Sequence, residues 1–165
     1  MISAIRRALA EGDFDAAVRW SGHPMPLAGR VRRGRELGRA FGFPTANLPY
    51  PPDKVPMAHG VYAGWALHEE KWHPAVANLG LAPTVSDAGE LRLEVHFLDG
   101  APELYGQELS VALATRLRAE RKFDSQDELK AAIAADCARA RTWLAGAPEH
   151  ARPGRLERLA GIGPA

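Results

Sequence analysis

The chain has 165 residues, of which 46% are hydrophobic and 25% are charged, the balance found in soluble globular domains. Because 21 Lys and Arg nearly offset 20 Asp and Glu, the net charge of +1 excludes a global electrostatic reason for a nucleic-acid or anionic-membrane partner. The lone Cys137 rules out an internal disulfide and no apolar run reaches transmembrane length, so we expect a cytoplasmic protein.

Residues 2–20 predict two short helices that are separated at Gly12. Ile5 and Leu9 lie four residues apart, as expected for one face of the first helix. Asp13 stands where a side chain would cap the start of the second helix. Two prolines soon after the second helix end the helical pattern, because proline lacks the backbone donor and has a fixed φ.

The middle of the chain has the pattern of short strands separated by glycine and proline. Five segments are predicted as strands: 27–32, 60–67, 72–79, 91–98 and 109–117. Apolar residues of the fourth segment alternate onto one face: Leu91, Leu93, Val95 and Phe97. The fifth alternates in the same way: Leu109, Val111 and Leu113. Several short strands in succession indicate a sandwich or a closed barrel rather than alternating β-α units.

A long helix is predicted from Ser125 onward. Ser125 and Glu128 match a capping box, in which the two side chains satisfy backbone donors at a helix start. Apolar side chains then recur at helical spacing: Leu129, Ile133, Cys137, Ala140, Trp143 and Leu144. Cys137 falls within that stripe, so we interpret it as a packed core thiol rather than a nucleophile. Residues 147–165 are predicted to be a flexible tail with a short turn around Leu156.

The segment 29–47 is rich in glycine and arginine. Its four glycines are Gly29, Gly34, Gly38 and Gly42, and its five arginines face one acidic residue. Glycine lets backbone amides approach a phosphate and arginine neutralises its charge, so the segment is either a polyphosphate cradle or a solvated basic loop. It is not a P-loop, because Arg35 and Glu36 stand where lysine and serine or threonine should follow.

Three polar residues carry the candidate chemistry. Thr45 and Asn47 are two residues apart, so on an extended backbone they share a face; their oxygens suit Mg²⁺ or an ordinary polar strand edge. Glu94 lies between Arg92 and His96 on the polar side of the fourth strand, where it is either a solvated surface group or a general base. The six histidines show no metal-ligand spacing.

These residues lie within segments that resemble the riboflavin kinase family, including the kinase module of bifunctional bacterial FAD synthetases. The resemblance begins at GRVRRGRELGRAFGFPTANL (29–48). It continues in the family's order through GVYAGWA (60–66), VANLGLAPTV (76–85), LEVHFLD (93–99), LYGQEL (104–109) and LRAERKFDS (117–125). Together these segments span most of residues 24–145.

The resemblance implies a mainly β fold, a six-stranded antiparallel Greek-key barrel with a C-terminal α-helix. The barrel and helix would occupy residues 24–146. Residues 1–23 would be the helical connector that precedes the kinase module in bifunctional enzymes, here without the adenylyltransferase module. The implied reaction is transfer of the γ-phosphoryl group of ATP to riboflavin, giving FMN. Without the adenylyltransferase module, we expect this chain to make FMN and not to convert it to FAD.

The resemblance also assigns roles to individual residues. Glu94 would be the catalytic base, and Thr45 and Asn47 would hold Mg²⁺ with the ATP phosphates. The implied nucleotide contacts are Gly34, Arg39, Thr45, Asn47, Phe97 and Tyr105. The implied flavin contacts are Arg118, Arg121 and Phe123, whose aromatic and guanidinium groups suit a flat ring.

Two positions depart from the family pattern. Ala82 stands where the family has an arginine, and Gly100 stands where an aromatic residue follows Leu-Asp. Both departures motivate an alternative, a flavin- or nucleotide-binding regulatory module without catalysis. A nucleic-acid-binding barrel using the arginines of 30–39 is a further alternative, which the near-neutral charge and the absence of aromatic residues there disfavour. We expect a monomer whose partners are riboflavin and ATP, with no nucleic acid and no membrane.

Overall fold

The protein was analysed as a computed structural model, which describes residues 2–32, 45–51, 54–82, 90–100 and 103–154. Two helices come first: α1 (Ile2–Glu11) and α2 (Phe14–Ser21). Six strands follow: β1 (Met25–Arg30), β2 (Thr45–Pro49), β3 (Gly60–His68), β4 (Lys71–Ala82), β5 (Glu90–Phe97) and β6 (Glu108–Arg118). The long helix α3 (Gln126–Ala145) and a single 3₁₀ turn (Glu149–Ala151) complete the described chain.

The strands form one antiparallel sheet in the order β1-β6-β3-β4-β5-β2. Strands β3, β4 and β5 follow one another as a meander and β2 lies beside β5, which makes a Greek key. The sheet curls into a half-barrel, so its two edges approach each other. Just after β1, the backbone N–H of Arg32 donates to the carbonyl of Asn47 on β2 over 2.8 Å. The predicted mainly β architecture is therefore confirmed.

The predicted strands match the observed ones to within a few residues, except for β2. Thr45–Pro49 has only five residues and ends in proline, so it is too short to show a clear alternation of apolar and polar residues. Its place in the sheet followed only from the family resemblance. This strand carries two of the candidate site residues.

Alternation along β5 and β6 decides which residues enter the core. On β5, Leu93 and Val95 are at most 1% exposed and Phe97 is also buried, as the sequence predicted. On β6 both faces are buried, since Ala112 and Ala114 are covered as well as the three predicted core residues. Helix α2 packs on this strand and accounts for part of that cover.

The N-terminal helices are held on the sheet by an aromatic contact. Phe14 meets Tyr62 of β3 edge to face, with ring centroids 4.9 Å apart and an interplanar angle of 70°. Burial raises the pKa of Tyr62 to about 12, even though Arg116 acts in the opposite direction. In addition, Ala58 donates its backbone N–H to the carbonyl of Leu9 over 2.9 Å.

The predicted N-cap position of Asp13 is confirmed, but its side chain does not cap the helix. Asp13 occupies the N-cap position of α2, but its side chain makes no cap hydrogen bond. Its φ of −82° and ψ of 64° differ from the extended conformation that directs a capping side chain at the helix end. Asp15 in the first turn instead accepts a hydrogen bond from Thr115 of β6 over 2.7 Å, which ties the helix to the sheet.

Helix α3 begins as predicted but packs through a neighbouring face. Ser125 Oγ accepts from the backbone N–H of Glu128 over 3.1 Å, as in a capping box. Glu128 Oε2 accepts from the backbone N–H of Asp124 over 3.0 Å, one residue before the position that a capping box uses. Four residues spaced by one turn are the most buried: Ala132, Asp136, Ala140 and Leu144. The predicted members Leu129, Ile133 and Cys137 are only partly covered. The stripe was misplaced because an aspartate was not expected within it.

The predicted flexible tail is wrong for its first residues. Ala147 and Ala151 are buried in the core cluster, and the 3₁₀ turn contacts α2. Arg152 Nε donates to the carbonyl of Ala147 over 2.9 Å, which folds this segment back on itself. Small alanine side chains permit such close packing without a long apolar pattern. The predicted turn at Leu156 lies outside the described residues.

The two-residue turn between β3 and β4 offers a stabilising substitution. Glu69 and Glu70 have φ of 50° and 65°, the left-handed region that a type I′ hairpin turn requires and that Asn-Gly favours. We expect Glu69→Asn with Glu70→Gly to raise the free energy of unfolding by about 1 kcal/mol, measured by urea denaturation. The control, Gln at both positions, removes the same charges without favouring this backbone. Equal stabilisation by the control would mean that charge repulsion, not backbone strain, limits the turn.

Candidate active site

One transverse row of side chains on the sheet contains the predicted base. Asn47 of β2 lies opposite Glu94 of β5, and Asn78 of β4 lies opposite the same Glu94. Directly opposed residues point to one face, with Cβ atoms about 5 Å apart. Because Leu93 and Val95 on either side of Glu94 enter the core, Glu94 points away from it. We call this side, which bears Asn47, Asn78 and Glu94, the outer face.

The predicted metal ligands lie next to the base on the outer face. Thr45 of β2 lies opposite His96 of β5. This pair is two residues along the strands from the pair of Asn47 and Glu94, so it is on the same face. Asn47 is 4% exposed, and among the residues that the structure describes its Oδ1 has no hydrogen-bond partner. Leaving a buried acceptor unpaired costs about 1–3 kcal/mol, which is consistent with a ligand-binding role for this oxygen. The Asn47 Oδ1 and the Thr45 hydroxyl are oxygen ligands on one face, and such ligands suit a hard divalent cation.

Two glycines make room for the end of β6 and the residues that follow it. A Cβ on Gly60 would lie 2.3 Å from the carbonyl oxygen of Arg118, and a Cβ on Gly80 would lie 2.0 Å from Glu120 Oε1. A larger residue at Gly60 would displace backbone, and its φ of +153° also favours glycine. Since Gly80 shares the face of Asn78 by alternation, Glu120 lies on the outer face.

Arg118, the last residue of β6, forms a buried ion pair with Asp136 of α3. Its Nε lies 2.9 Å from Oδ1 and its Nη2 lies 2.8 Å from Oδ2 of the carboxylate. The two side chains are 20% and 7% exposed. The remaining Nη1 donates to the carbonyl of Ala119 over 3.1 Å. The guanidinium is therefore fixed in orientation, and α3 is tethered to the end of β6.

An open groove of about 500 Å³ lies between the segment after β6 and the start of α3. Its lining residues are Arg121, Lys122, Phe123, Glu128, Ala131, Ala132 and Ala135. The guanidinium carbons of Arg121 and Arg118 lie 4.7 Å and 5.7 Å from the centroid of the Phe123 ring. Alanines on the helix side leave room beside that ring. Such a groove, with an aromatic side chain and cations, suits a flat conjugated ligand.

The groove and the base are connected by the same transverse row. Asn78 pairs with Val61 of β3, and Val61 pairs with Arg118 of β6. Three strand spacings, roughly 14 Å, therefore separate the backbone of Glu94 from that of Arg118. A ligand with a flat ring and an extended side chain could reach from one to the other.

The predicted nucleotide contacts are not all brought to this row. Phe97 is buried on the core side of β5, where its ring lies 6.0 Å from that of His73. Tyr105 is 52% exposed in the turn before β6. Gly34 and Arg39 lie outside the described residues. Nucleotide contacts at these four positions stay predictions.

Gly100 and Ala82, the two residues that depart from the family pattern, lie in different parts of the fold. Gly100 lies in the turn after β5 with φ of +106°, and a Cβ there would have open space around it. An aromatic residue at this position would be strained by the backbone rather than by its neighbours. Ala82 ends β4, and its side chain lies outside the described residues.

Cys137 is the one cysteine of the chain and lies beside the buried Asp136. Burial raises the pKa of the Cys137 thiol, and the negative charge of Asp136 raises it further. The thiol therefore stays protonated, which agrees with a packing role rather than a nucleophilic one. Within the described ranges, no group of three or more His, Cys, Asp or Glu side chains could hold a metal.

Sequence reasoning missed two residues that shape the site. Asn78 was within a quoted motif but received no role, although its position two residues from Val76 and Gly80 puts all three on one strand face. Asp136 interrupts an otherwise small apolar stripe at one-turn spacing. A lone acidic residue in a buried stripe predicts a buried cation as its partner, and that signal was available.

Comparisons with known proteins agree on one family. The family model described as Flavokinase: Riboflavin kinase matches residues 21–144. A bifunctional riboflavin kinase/FMN adenylyltransferase of Pseudomonas fluorescens is 45% identical over 142 residues, which is 86% of this chain and 45% of that protein. This chain thus spans less than half the length of that curated relative.

Two solved structures resemble the chain. A Streptococcus pneumoniae structure, named as a macrolide-efflux protein, aligns with a TM-score of 0.76 and 34% identity over 86% of this chain and 46% of that one. Riboflavin kinase from Trypanosoma brucei aligns with a TM-score of 0.55 over 84% of this chain and 86% of that one. At 24% identity, the second likeness supports the fold alone. In the described part of the chain, no helix is long and apolar enough to cross a membrane.

The ion pair between Arg118 and Asp136 should dominate the stability of the α3 contact. Asp136→Ala leaves a mostly buried guanidinium without its partner, so we expect a loss of about 3 kcal/mol in the free energy of unfolding. Asp99→Ala is the matched control, because it breaks a 2.7 Å pair with Arg141 of the same helix in which both side chains are more than half exposed. That pair should contribute less than about 1 kcal/mol. Similar losses in both variants by urea denaturation would contradict a special role for the buried pair.

Proposed function

The chain belongs to the riboflavin kinase family, and we propose that it transfers the γ-phosphoryl group of ATP to the 5′-hydroxyl of riboflavin, giving FMN and ADP. The observation that carries this proposal is the transverse row on the outer face. It joins a carboxylate flanked by two amides to Arg118, about three strand spacings away. The Arg118 guanidinium lies 5.7 Å from the ring centroid of Phe123, which lines the groove. The tricyclic ring and ribityl chain of riboflavin match that arrangement.

Glu94 acts as the general base in this reaction. Its carboxylate takes the proton of the riboflavin 5′-hydroxyl as that oxygen bonds to the γ-phosphorus of ATP. The bond between the γ-phosphorus and the bridging oxygen breaks, and ADP leaves with the electron pair. Phosphoryl transfer needs chiefly positioning, charge neutralisation and a base, so few protein groups suffice.

Thr45 and Asn47 would hold a divalent cation, most simply Mg²⁺, together with the ATP phosphates. When bound, it would neutralise charge that develops on the transferred phosphoryl group. Asn47 contributes the buried Oδ1, for which the described part of the chain provides no donor, and Thr45 contributes its hydroxyl on the same face. The lack of an acidic cluster among the described residues fits a cation that takes its other ligands from phosphate and water.

The flavin ring lies in the groove against Phe123 and Arg121. Arg118 supports this wall, because its guanidinium is held by Asp136 and lies 5.7 Å from the Phe123 ring centroid. Nucleotide contacts at Gly34, Arg39, Phe97 and Tyr105 complete the proposal. We still predict that the protein is monomeric and cytoplasmic and that it binds no nucleic acid.

Replacing the base should separate catalysis from binding. We expect Glu94→Gln to lower the rate of FMN formation from riboflavin and MgATP by about a hundredfold or more, with little change in riboflavin affinity. Flavins resolved by chromatography report the product, and Glu108→Gln, an exposed glutamate at the far end of β6, is the control. Equal rates for Glu94→Gln and wild type would remove Glu94 from its role. Riboflavin binding without FMN or ADP from the wild type would favour the regulatory-module alternative.

Replacing Asn47 should lower activity without lowering stability. Asn47→Leu removes a buried oxygen without a partner and keeps the side-chain size, so we expect an unfolding temperature at least equal to that of the wild type. The same change removes a cation ligand, and activity at fixed Mg²⁺ should fall at least roughly tenfold. Calorimetry and a magnesium titration of FMN formation measure the two effects. A variant that is less stable, or fully active at low Mg²⁺, would show that Asn47 is only structural.

A further inference from the structure

Glu120 is a carboxylate on the outer face for which the proposed reaction has no role so far. Its Oε1 lies 2.0 Å from the point that a Cβ on Gly80 would occupy, so its carboxylate sits in the notch left by that glycine. Its Oε2 lies 3.6 Å from Nδ1 of His59, with the two side chains 45% and 40% exposed. The carboxylate is thus localised against the sheet and still open to solvent.

The backbone around Glu120 is held in place by the end of β6. Gly60 allows the carbonyl of Arg118 and the Cα of Ala119 to come close to β3. Arg116 Nη2 donates to the carbonyl of His59 over 2.5 Å, which anchors the residue that faces the Glu120 carboxylate. These contacts come from three separate segments, so the position of Glu120 belongs to the fold rather than to a free surface side chain.

Glu120 lies on the same face as the proposed base and next in sequence to the proposed ring groove. Gly80 is two residues from Asn78 on β4, about 7 Å along the strand, and Asn78 is directly opposite Glu94. In sequence, Glu120 directly precedes Arg121 and is three residues before Phe123, both of which line the groove. A ligand that occupies the groove and reaches Glu94 therefore extends along the face that bears this carboxylate.

We infer that Glu120 accepts hydrogen bonds from hydroxyl groups of the substrate's polyol chain, an inference that rests on the proposed function. A carboxylate has no donor and about four acceptor positions, so it matches a chain that offers several hydroxyl donors. The ring of a flavin offers no hydroxyl donor to it. Glu120 thereby selects flavins with a hydroxylated side chain and aligns that chain toward Glu94.

The test compares riboflavin with lumiflavin, which has the same ring and a methyl group instead of the ribityl chain. Binding to the full-length chain is followed by flavin fluorescence, without turnover. We expect Glu120→Ala to weaken riboflavin binding roughly tenfold to a hundredfold, the range for hydrogen bonds to a charged group, and to leave lumiflavin binding unchanged. Glu108→Gln should change neither affinity.

A second variant tests the notch. Gly80→Ala keeps the carboxylate but places a Cβ where Glu120 Oε1 lies, and the flexible glutamate side chain can move away at little cost to folding. We expect it to weaken riboflavin binding selectively, like Glu120→Ala. The double variant should then bind riboflavin no worse than Glu120→Ala alone, because the same contact is already lost.

Each remaining outcome overturns the inference. Equal weakening of riboflavin and lumiflavin would mean that Glu120 supports the groove itself, and unchanged binding of both would give it no role. If the wild type makes FMN while Glu120→Ala keeps its preference for riboflavin, only this inference fails. If the wild type neither binds nor phosphorylates riboflavin, the proposed function fails with it.

Discussion

The buried ion pair between Arg118 and Asp136 is the contact on which the arrangement of the outer face depends. Taking two charges out of water is costly unless they meet with good geometry, and here the carboxylate receives hydrogen bonds from both Nε and Nη2. Either charge alone would be strongly destabilising in that position. The pair thus tethers α3 to the end of β6, next to the groove that Phe123 lines.

The site is assembled from segments that are distant in the chain. Thr45 and Asn47 come from β2, Asn78 from β4 and Glu94 from β5, and the Greek-key order places these strands side by side. Because all four residues point outward, the interior of the half-barrel can be filled with apolar side chains and the proposed site lies on its surface. Asn47 is nevertheless buried, so this surface provides a partly dehydrated environment in which electrostatic contacts are stronger.

Glycine at two positions decides how the last strand meets this surface. Gly60 admits the backbone of Arg118, and Gly80 admits the side chain of Glu120. Neither role was visible in the sequence, where both residues stood only within family-like motifs. The alternation along β5 was visible, since its apolar and polar faces differ at every position. The capping box at Ser125 was visible as well, because it depends on two residues three positions apart.

The sequence by itself determined the elements whose cause is local. Short-range patterns predict the strands with alternating faces and the start of α3. The same alternation predicts that Leu93 and Val95 of β5 point inward and that Glu94 points outward. Family-like motifs added the roles that we propose for Glu94, Thr45 and Asn47. Only the tertiary structure decided which distant residues became neighbours, among them Asn78 beside Glu94 and Asp136 beside Arg118. Strand register and helix docking are set by packing across the whole sheet, and residues far apart in the chain do not reveal that packing locally.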